Sequence, residues 1–290
     1  MFATSVQSWI YKNIAKPIFF KQDPEKTHDC VLWLGKLLEK TKSTRDLTAY
    51  LFRYQDPVLE QEILGIHFDN PIGLAAGFDK NAELTRILPF VGFGFEEIGS
   101  ITGEYCEGNP KPRLWRHPEL QSLRVFYGLK NDGSEEIAKR LSGKKFDIPI
   151  GISIAKTNSK DTIELDAAIA DYVKAYQAFE NIGSYDTINI SCPNAFGGQP
   201  FTDPESLEKL LFALNEHRNT KPMFIKVSPD LILEDVREIC LVAKRFDVNG
   251  LICSNLTKKH DFGKGGLSGK PVQPLSHSHL KYLYQNFSED

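Results

Sequence analysis

The stretch Tyr185–Gln199, Y-D-T-I-N-I-S-C-P-N-A-F-G-G-Q, places two carboxamides and a thiol beside a proline. Thr187–Ser191 is a short apolar, β-branched run that predicts a buried strand. Pro193 cannot donate to a strand ladder and restricts Cys192, so the strand should end there. Asn189, Cys192 and Asn194 are then presented at the C-terminal end of a strand, which is where parallel α/β proteins bind ligands. An ordinary thiol titrates near pH ~8.5, so a modest local shift makes it a proton acceptor close to neutrality. The plain alternative is an inert buried cysteine beside turn-forming Asn and Gly.

The elements that must position these groups follow one pattern from Asn70 onward: a short apolar run, a polar loop, then an amphipathic helix. The runs are Pro71–Ala76, Phe95–Ile101, Ile148–Ala155, Thr187–Ser191, Met223–Ser228 and Gly250–Ser254, with helices predicted over Glu164–Glu180, Pro204–Arg218 and Leu233–Phe246. Such alternation implies a parallel sheet with helical crossovers. By pattern alone, both a helix-wrapped barrel and a doubly wound open sheet fit. Each run ends in chemistry: Gly77–Lys80, Gly99-Ser100, Ser153 with Lys156, the 189–194 group, Lys226 with Ser228, and Ser254-Asn255. Lysine inside the apolar run F-I-K-V is costly to bury unless it meets an anion or an acceptor. Together these groups suit a planar, hydrogen-bonding, anionic ligand. G-K-G-G-L-S-G-K-P (Gly263–Pro271) is a weak phosphate-wrapping signal, and Thr102–Leu123 reads as a turn-rich excursion over the same face.

Composition narrows the class. The chain has 290 residues, net charge −3 and pI near 6.2, which argues against a general nucleic-acid binder. Five cysteines without a CxxC pair point to a reducing compartment, with neither a disulfide framework nor a structural metal site. Residues 1–50 carry eight Lys/Arg against five Asp/Glu. Two short amphipathic helices are expected there, with Pro17 interrupting the first, and their mixture of Trp, Phe and Lys suits a membrane interface. The other reading of that face is packing against the rest of the chain. No linker divides residues 51–290, so they read as one domain.

The motifs G-L-A-A-G-F-D-K-N, E-I-G-S-I-T, G-N-P-K-P-R-L, I-N-I-S-C-P-N, I-K-V-S-P-D, S-N-L-T and G-G-L-S-G-K-P resemble those of the dihydroorotate dehydrogenase family, in order and spacing. I-A-K-P-I-F-F-K-Q-D-P-E-K-T-H resembles the N-terminal extension of its quinone-linked, membrane-associated branch. The resemblance implies an α/β (β/α)8 TIM barrel holding FMN at its C-terminal rim, behind a small N-terminal helical extension. It implies FMN contacts from Ala76, Gly77, Lys80, Ser100, Ser153, Asn189, Lys226, Ser254 and Gly269. It implies substrate contacts from Lys80, Gly128, Leu129, Asn189, Asn194 and Asn255, with Cys192 as catalytic base. The reaction implied is oxidation of dihydroorotate to orotate in pyrimidine biosynthesis: a proton leaves C5, hydride passes from C6 to flavin N5, and a quinone takes the electrons. Peripheral attachment to a membrane follows, at the cytoplasmic face or the inner mitochondrial membrane. Asn side chains, which both donate and accept, match the alternating N–H and C=O edge of a pyrimidine.

This sequence departs from the family pattern in specific places. Cys192 stands where the quinone-linked branch carries Ser and the soluble branches carry Cys. Tyr127–Gly133 and Ser153 also resemble the soluble branches. Val125 occupies the place of a substrate-binding Asn, and Leu256 that of a hydroxyl residue. About six βα units are countable where the family has eight, which predicts an open barrel that binds FMN weakly or not at all. Two other functions stay open at this point. One is a related flavin oxidoreductase with a soluble acceptor or another cyclic-amide substrate; the other is an inactive truncated chain that binds membrane or a partner.

Overall fold

The computed structural model describes residues 2–287, with side chains from residue 6 onward. Residue 1 and residues 288–290, at the outer ends of the expected 1–50 and 51–290 segments, lie outside the described residues. The chain divides into two compact units: residues 1–74 with 83–96 and 146–149, and residues 75–82 with 97–145 and 150–290.

In the first unit, α1 (Phe2–Ile10), a π-helical turn (Tyr11–Ala15) and α2 (Lys16–Lys21) form one helical run, followed by α3 (Pro24–Leu38) and α4 (Lys42–Phe52). Pro17 therefore does not interrupt the helix, contrary to the sequence expectation. The Lys16 N–H reaches back to the Tyr11 carbonyl, and the widened turn accommodates a residue that has no N–H to contribute. Pro24 begins α3 at its first position, and the Asp23 carboxylate caps it by accepting from the Lys26 N–H at 3.0 Å. Lys36 pairs with Glu83 at 2.9 Å, and Arg45 stacks on Phe90. Then come the hairpin β1 (Gln61–Ile63)–β2 (Ile66–Phe68), β3 (Gly73–Leu74) and α5 (Leu88–Val91). Trp9, Ile18 and Trp33 are more than half exposed, at 59%, 53% and 61%. Among the described residues no helix is long and apolar enough to cross a membrane.

The second unit holds most of the parallel sheet. After β4 (Phe95–Ile101) come β5 (Leu114–His117), β6 (Ser122–Val125), α6 (Ser134–Leu141), β7 (Ile150–Ile154), α7 (Leu165–Ala178), β8 (Tyr185–Asn189), α8 (Pro204–Asn215), β9 (Met223–Val227), α9 (Leu233–Arg245), β10 (Gly250–Cys253), β11 (Gly266–Leu267) and α10 (Gln273–Phe287). The six-stranded sheet runs β10-β9-β8-β7-β4-β3, and the pairs β3–β4, β7–β8, β8–β9 and β9–β10 are parallel. It is an α/β fold whose parallel sheet of six strands curls as half a barrel, as the barrel expectation requires, and its strands match the six runs read from the sequence. The first run is shorter than expected, because Pro71 cannot donate to a ladder and only Gly73–Leu74 pairs. The crossover helices bury one stripe each: Leu207, Leu210, Leu211 and Leu214 of α8, and Val236, Ile239, Cys240 and Ala243 of α9. The excursion after β4 forms a separate antiparallel sheet in the order β11-β6-β5.

At the N-terminal ends of β8 and β9, Lys221 Nζ donates to the Phe179 and Ile182 carbonyls at 2.7 and 2.9 Å and to Asp186 Oδ1 at 2.8 Å. Asp186 is buried at the start of β8; burial pushes its carboxyl up and the Lys221 ammonium pulls it back. Removing one partner of such a pair strands the other charge. Lys221→Met should therefore lower stability by about 3–5 kcal/mol, read from equilibrium urea unfolding followed by circular dichroism. A loss within half a kcal/mol (~0.5) would mean that the pair carries no net weight.

Candidate active site

Strand alternation decides which side chains meet. In β7 Ile152 and Ile154 point one way and Ser153 the other, and in β8 Thr187 and Asn189 alternate with Ile188. In β9 Lys226 alternates with Ile225 and Val227, in register with Asn189. The polar members converge. Ser153 and Ser100 share a hydrogen bond at 2.8 Å, and Asn189 Nδ2 donates to Ser100 Oγ at 2.8 Å. Asn189 Oδ1 accepts from the Ser191 N–H and hydroxyl at 3.1 and 2.6 Å. Asn255 Nδ2 in turn donates to Ser191 Oγ at 3.0 Å. Below them Glu97 accepts from Thr187 Oγ1 at 3.0 Å and faces Lys226 at 3.8 Å.

This network forms part of the wall of a cavity at the C-terminal ends of the strands; cavity and mouth together hold about 600 Å³ of open space. The sequence-derived residues Ala76, Gly77, Lys80, Ser100, Asn189 and Lys226 line it, as do Gly128, Leu129, Cys192, Asn194 and Asn255. Gly77 has φ +109, and a β-carbon there would meet nothing within 4 Å, so this wall is bare backbone facing open space. Val125 and Leu256 also line the cavity and contribute apolar side chains to its wall.

Three expected residues lie off the lining. Ser153 is fully buried and reaches the cavity only through Ser100. Ser254 Oγ lies 2.6 Å from Ser276 Oγ. Gly269 packs against the turn before β6, where a β-carbon would come within 2.4 Å of the Gln121 carbonyl. The glycine-rich stretch around it builds β11 and lets backbones approach closely, rather than forming an open loop.

The structure adds residues that spacing could not reveal. Lys80 Nζ stands 4.2 Å from the Tyr127 ring centroid. Asn194 is oriented at both ends: Oδ1 accepts from Lys258 Nζ at 3.1 Å, and Nδ2 donates to the Val125 carbonyl at 3.0 Å. Its own carbonyl accepts from Asn109 Nδ2 at 3.0 Å. Asn158 Oδ1 accepts from the Phe196 N–H at 2.7 Å. Cys192 is partly buried, and burial pushes its thiol up to about 11; the Asn194 backbone and the Lys156 ammonium pull the other way. The sequence reading, a modest shift toward neutrality, is thus reversed, because the low dielectric of the site opposes the thiolate.

Comparison with known proteins agrees with this geometry. The family model described as "Dihydroorotate dehydrogenase" matches residues 58–290. A "Dihydroorotate dehydrogenase (quinone)" of Nostoc sp. is 36% identical over 303 residues, covering 95% of this chain and 80% of that protein. One from Mycolicibacterium smegmatis is 33% identical, covering 97% and 80%. A crystal structure of DHODH from Eimeria tenella in complex with ferulenol superposes with a TM-score of 0.78 at 28% identity, covering 91% of this chain and 77% of that one. The chain therefore belongs to the dihydroorotate dehydrogenase family.

Proposed function

We propose that this protein oxidises dihydroorotate to orotate with FMN as cofactor and a quinone as electron acceptor, as the names of its relatives suggest. The observation that carries the reading is the convergence of Cys192, Lys80 and three carboxamides on one cavity beside bare backbone at Gly77 and the buried Lys226. The residues fit a flat, hydrogen-bonding group that becomes anionic. Gly77 has no side chain to obstruct it, and Lys226, 7% exposed, supplies positive charge at the cavity wall. FMN, when bound, would accept the hydride from C6 and relay the electron pair to the quinone. Lys80 would hold the substrate carboxylate, while Asn189, Asn194 and Asn255 orient the ring amides. Cys192 takes the C5 proton as thiolate, and the apolar walls Val125, Leu129 and Leu256 exclude water from it. On this reading the exposed Trp9, Ile18 and Trp33, interspersed with Lys12, Lys16 and Lys21, rest on the membrane that holds the quinone.

Purified protein should show a flavin spectrum that bleaches anaerobically on adding dihydroorotate. Cys192→Ala should keep the flavin and slow bleaching by about 10²-fold or more; bleaching at the original rate would remove Cys192 from the role of base. Flavin without bleaching would point to another cyclic amide, with Val125 and Leu256 as the altered contacts.

The pH dependence has a definite sign. The base works as thiolate and its pKa is raised, so the reduction rate should climb about tenfold per pH unit through neutrality. A profile flat across neutral pH in stopped-flow measurements would contradict this.

In the full chain, Trp9→Glu, Ile18→Glu and Trp33→Glu together should abolish co-sedimentation with anionic vesicles while leaving dihydroorotate-driven bleaching intact. Undiminished sedimentation would dissociate this face from the membrane.

A further inference from the structure

The chemistry above leaves one deeply buried cation without a task. Lys156, two residues beyond the end of β7, is 4% exposed. Its Nζ donates to the Phe196 carbonyl at 2.6 Å and to the Thr162 carbonyl at 3.2 Å. No carboxylate forms an ion pair with it among the described residues. Burying an ammonium against neutral carbonyls alone is costly, and a neutral donor would satisfy both of them.

Two groups near Lys156 can be anionic. Asp171 already accepts from the Thr157 N–H and hydroxyl, both at 2.7 Å, and from the Gly103 N–H at 3.3 Å. The other is Cys192, which lines the same small cavity as Lys156. Thiol and ammonium act on each other: burial lowers the lysine and raises the cysteine, and each charged form favours the other. Lys258 also favours the thiolate, but it is exposed to water and committed to Asn194.

The Phe196 peptide is held from both sides, its carbonyl by Lys156 and its N–H by Asn158. Both clamping residues follow β7, and the clamped peptide lies four positions beyond Cys192.

We propose that Lys156 is a positioning residue for the base: it anchors the Cys192–Phe196 loop and supplies the buried counter-charge of the Cys192 thiolate. The role rests on the assignment of Cys192 as base. In the step, the C5 proton passes to the thiolate sulfur, giving a neutral thiol, while Lys156 stays protonated throughout. Facing Cys192 are Lys156, Lys258 and Cys106, with Lys80, Lys130 and Lys226 lining its cavity; Asp171 and Tyr172 face Lys156.

The test is the pH profile of Cys192 alkylation by iodoacetamide, read by peptide mass spectrometry on the full-length protein. Lys156→Gln should raise the apparent pKa of Cys192 by about one unit or more, a tenfold loss of thiolate at fixed pH. Lys156→Arg should restore it. Asn158→Ala, which opens the other side of the clamp without removing charge, should leave that pKa in place. Flavin reduction in Lys156→Gln should fall by the same factor and recover as pH rises. Should the Gln variant fail to fold, Lys156→Met, which needs no polar partner, takes its place. An unmoved pKa in the neutral variant, or an equal shift in Asn158→Ala, would overturn the counter-charge role and leave a structural tether. Normal flavin reduction in Cys192→Ala would instead remove the base assignment, and the alkylation profile would still decide the coupling.

Discussion

The carboxamide of Asn189 ties the second unit into a site. Through Ser100 it reaches β4 and Ser153 on β7, and through Ser191 it reaches Asn255 beyond β10. Its backbone carbonyl accepts from the buried Tyr172 hydroxyl of α7 at 2.8 Å. A buried carboxamide must satisfy both ends, and here both ends are satisfied by protein. Its orientation is therefore set before any ligand arrives: nitrogen toward Ser100, oxygen toward Ser191. It can offer a ligand the second N–H of its amide and little else. Losing it would take one partner each from the Ser100 and Ser191 hydroxyls in a low-dielectric interior, so its structural and chemical roles cannot be separated.

What was legible in the sequence was local. The strands were visible because a strand buried on both faces reads as an unbroken apolar run, and polar residues after the runs marked the strand ends where the cavity opens. Pro193 placed the break after the strand that carries Asn189, but the observed strand, Tyr185–Asn189, ends two residues before the expected Ser191, where the Asn189 side chain accepts from the Ser191 N–H. What was hidden was made by distance along the chain. Asn109 and Asn194 are separated by 85 positions, and Lys258 and Asn194 by 64. No periodicity encodes such contacts. Pro17 misled for a different reason: proline forbids one hydrogen bond, but a π turn removes the need for it. At Gly269 the glycine cluster signals close backbone approach, here to the Gln121 carbonyl.

The cationic groups around the cavity are divided among different partners, and that division resolves an apparent conflict in the thiol. Burial alone makes Cys192 a poor thiolate. An anionic substrate entering the same cavity would make it poorer still, since like charges in low dielectric repel strongly. The conflict eases if each negative charge meets its own cation. Lys226 already faces Glu97, and Lys258 already holds Asn194. Lys80, over the Tyr127 ring at the cavity wall, is the cation the proposed function assigns to the substrate carboxylate. Lys156, behind the loop, remains for the sulfur. The same dryness that raises the thiol then strengthens the one interaction that lowers it, so the site depends less on the intrinsic acidity of cysteine than on keeping water away from a single buried ammonium.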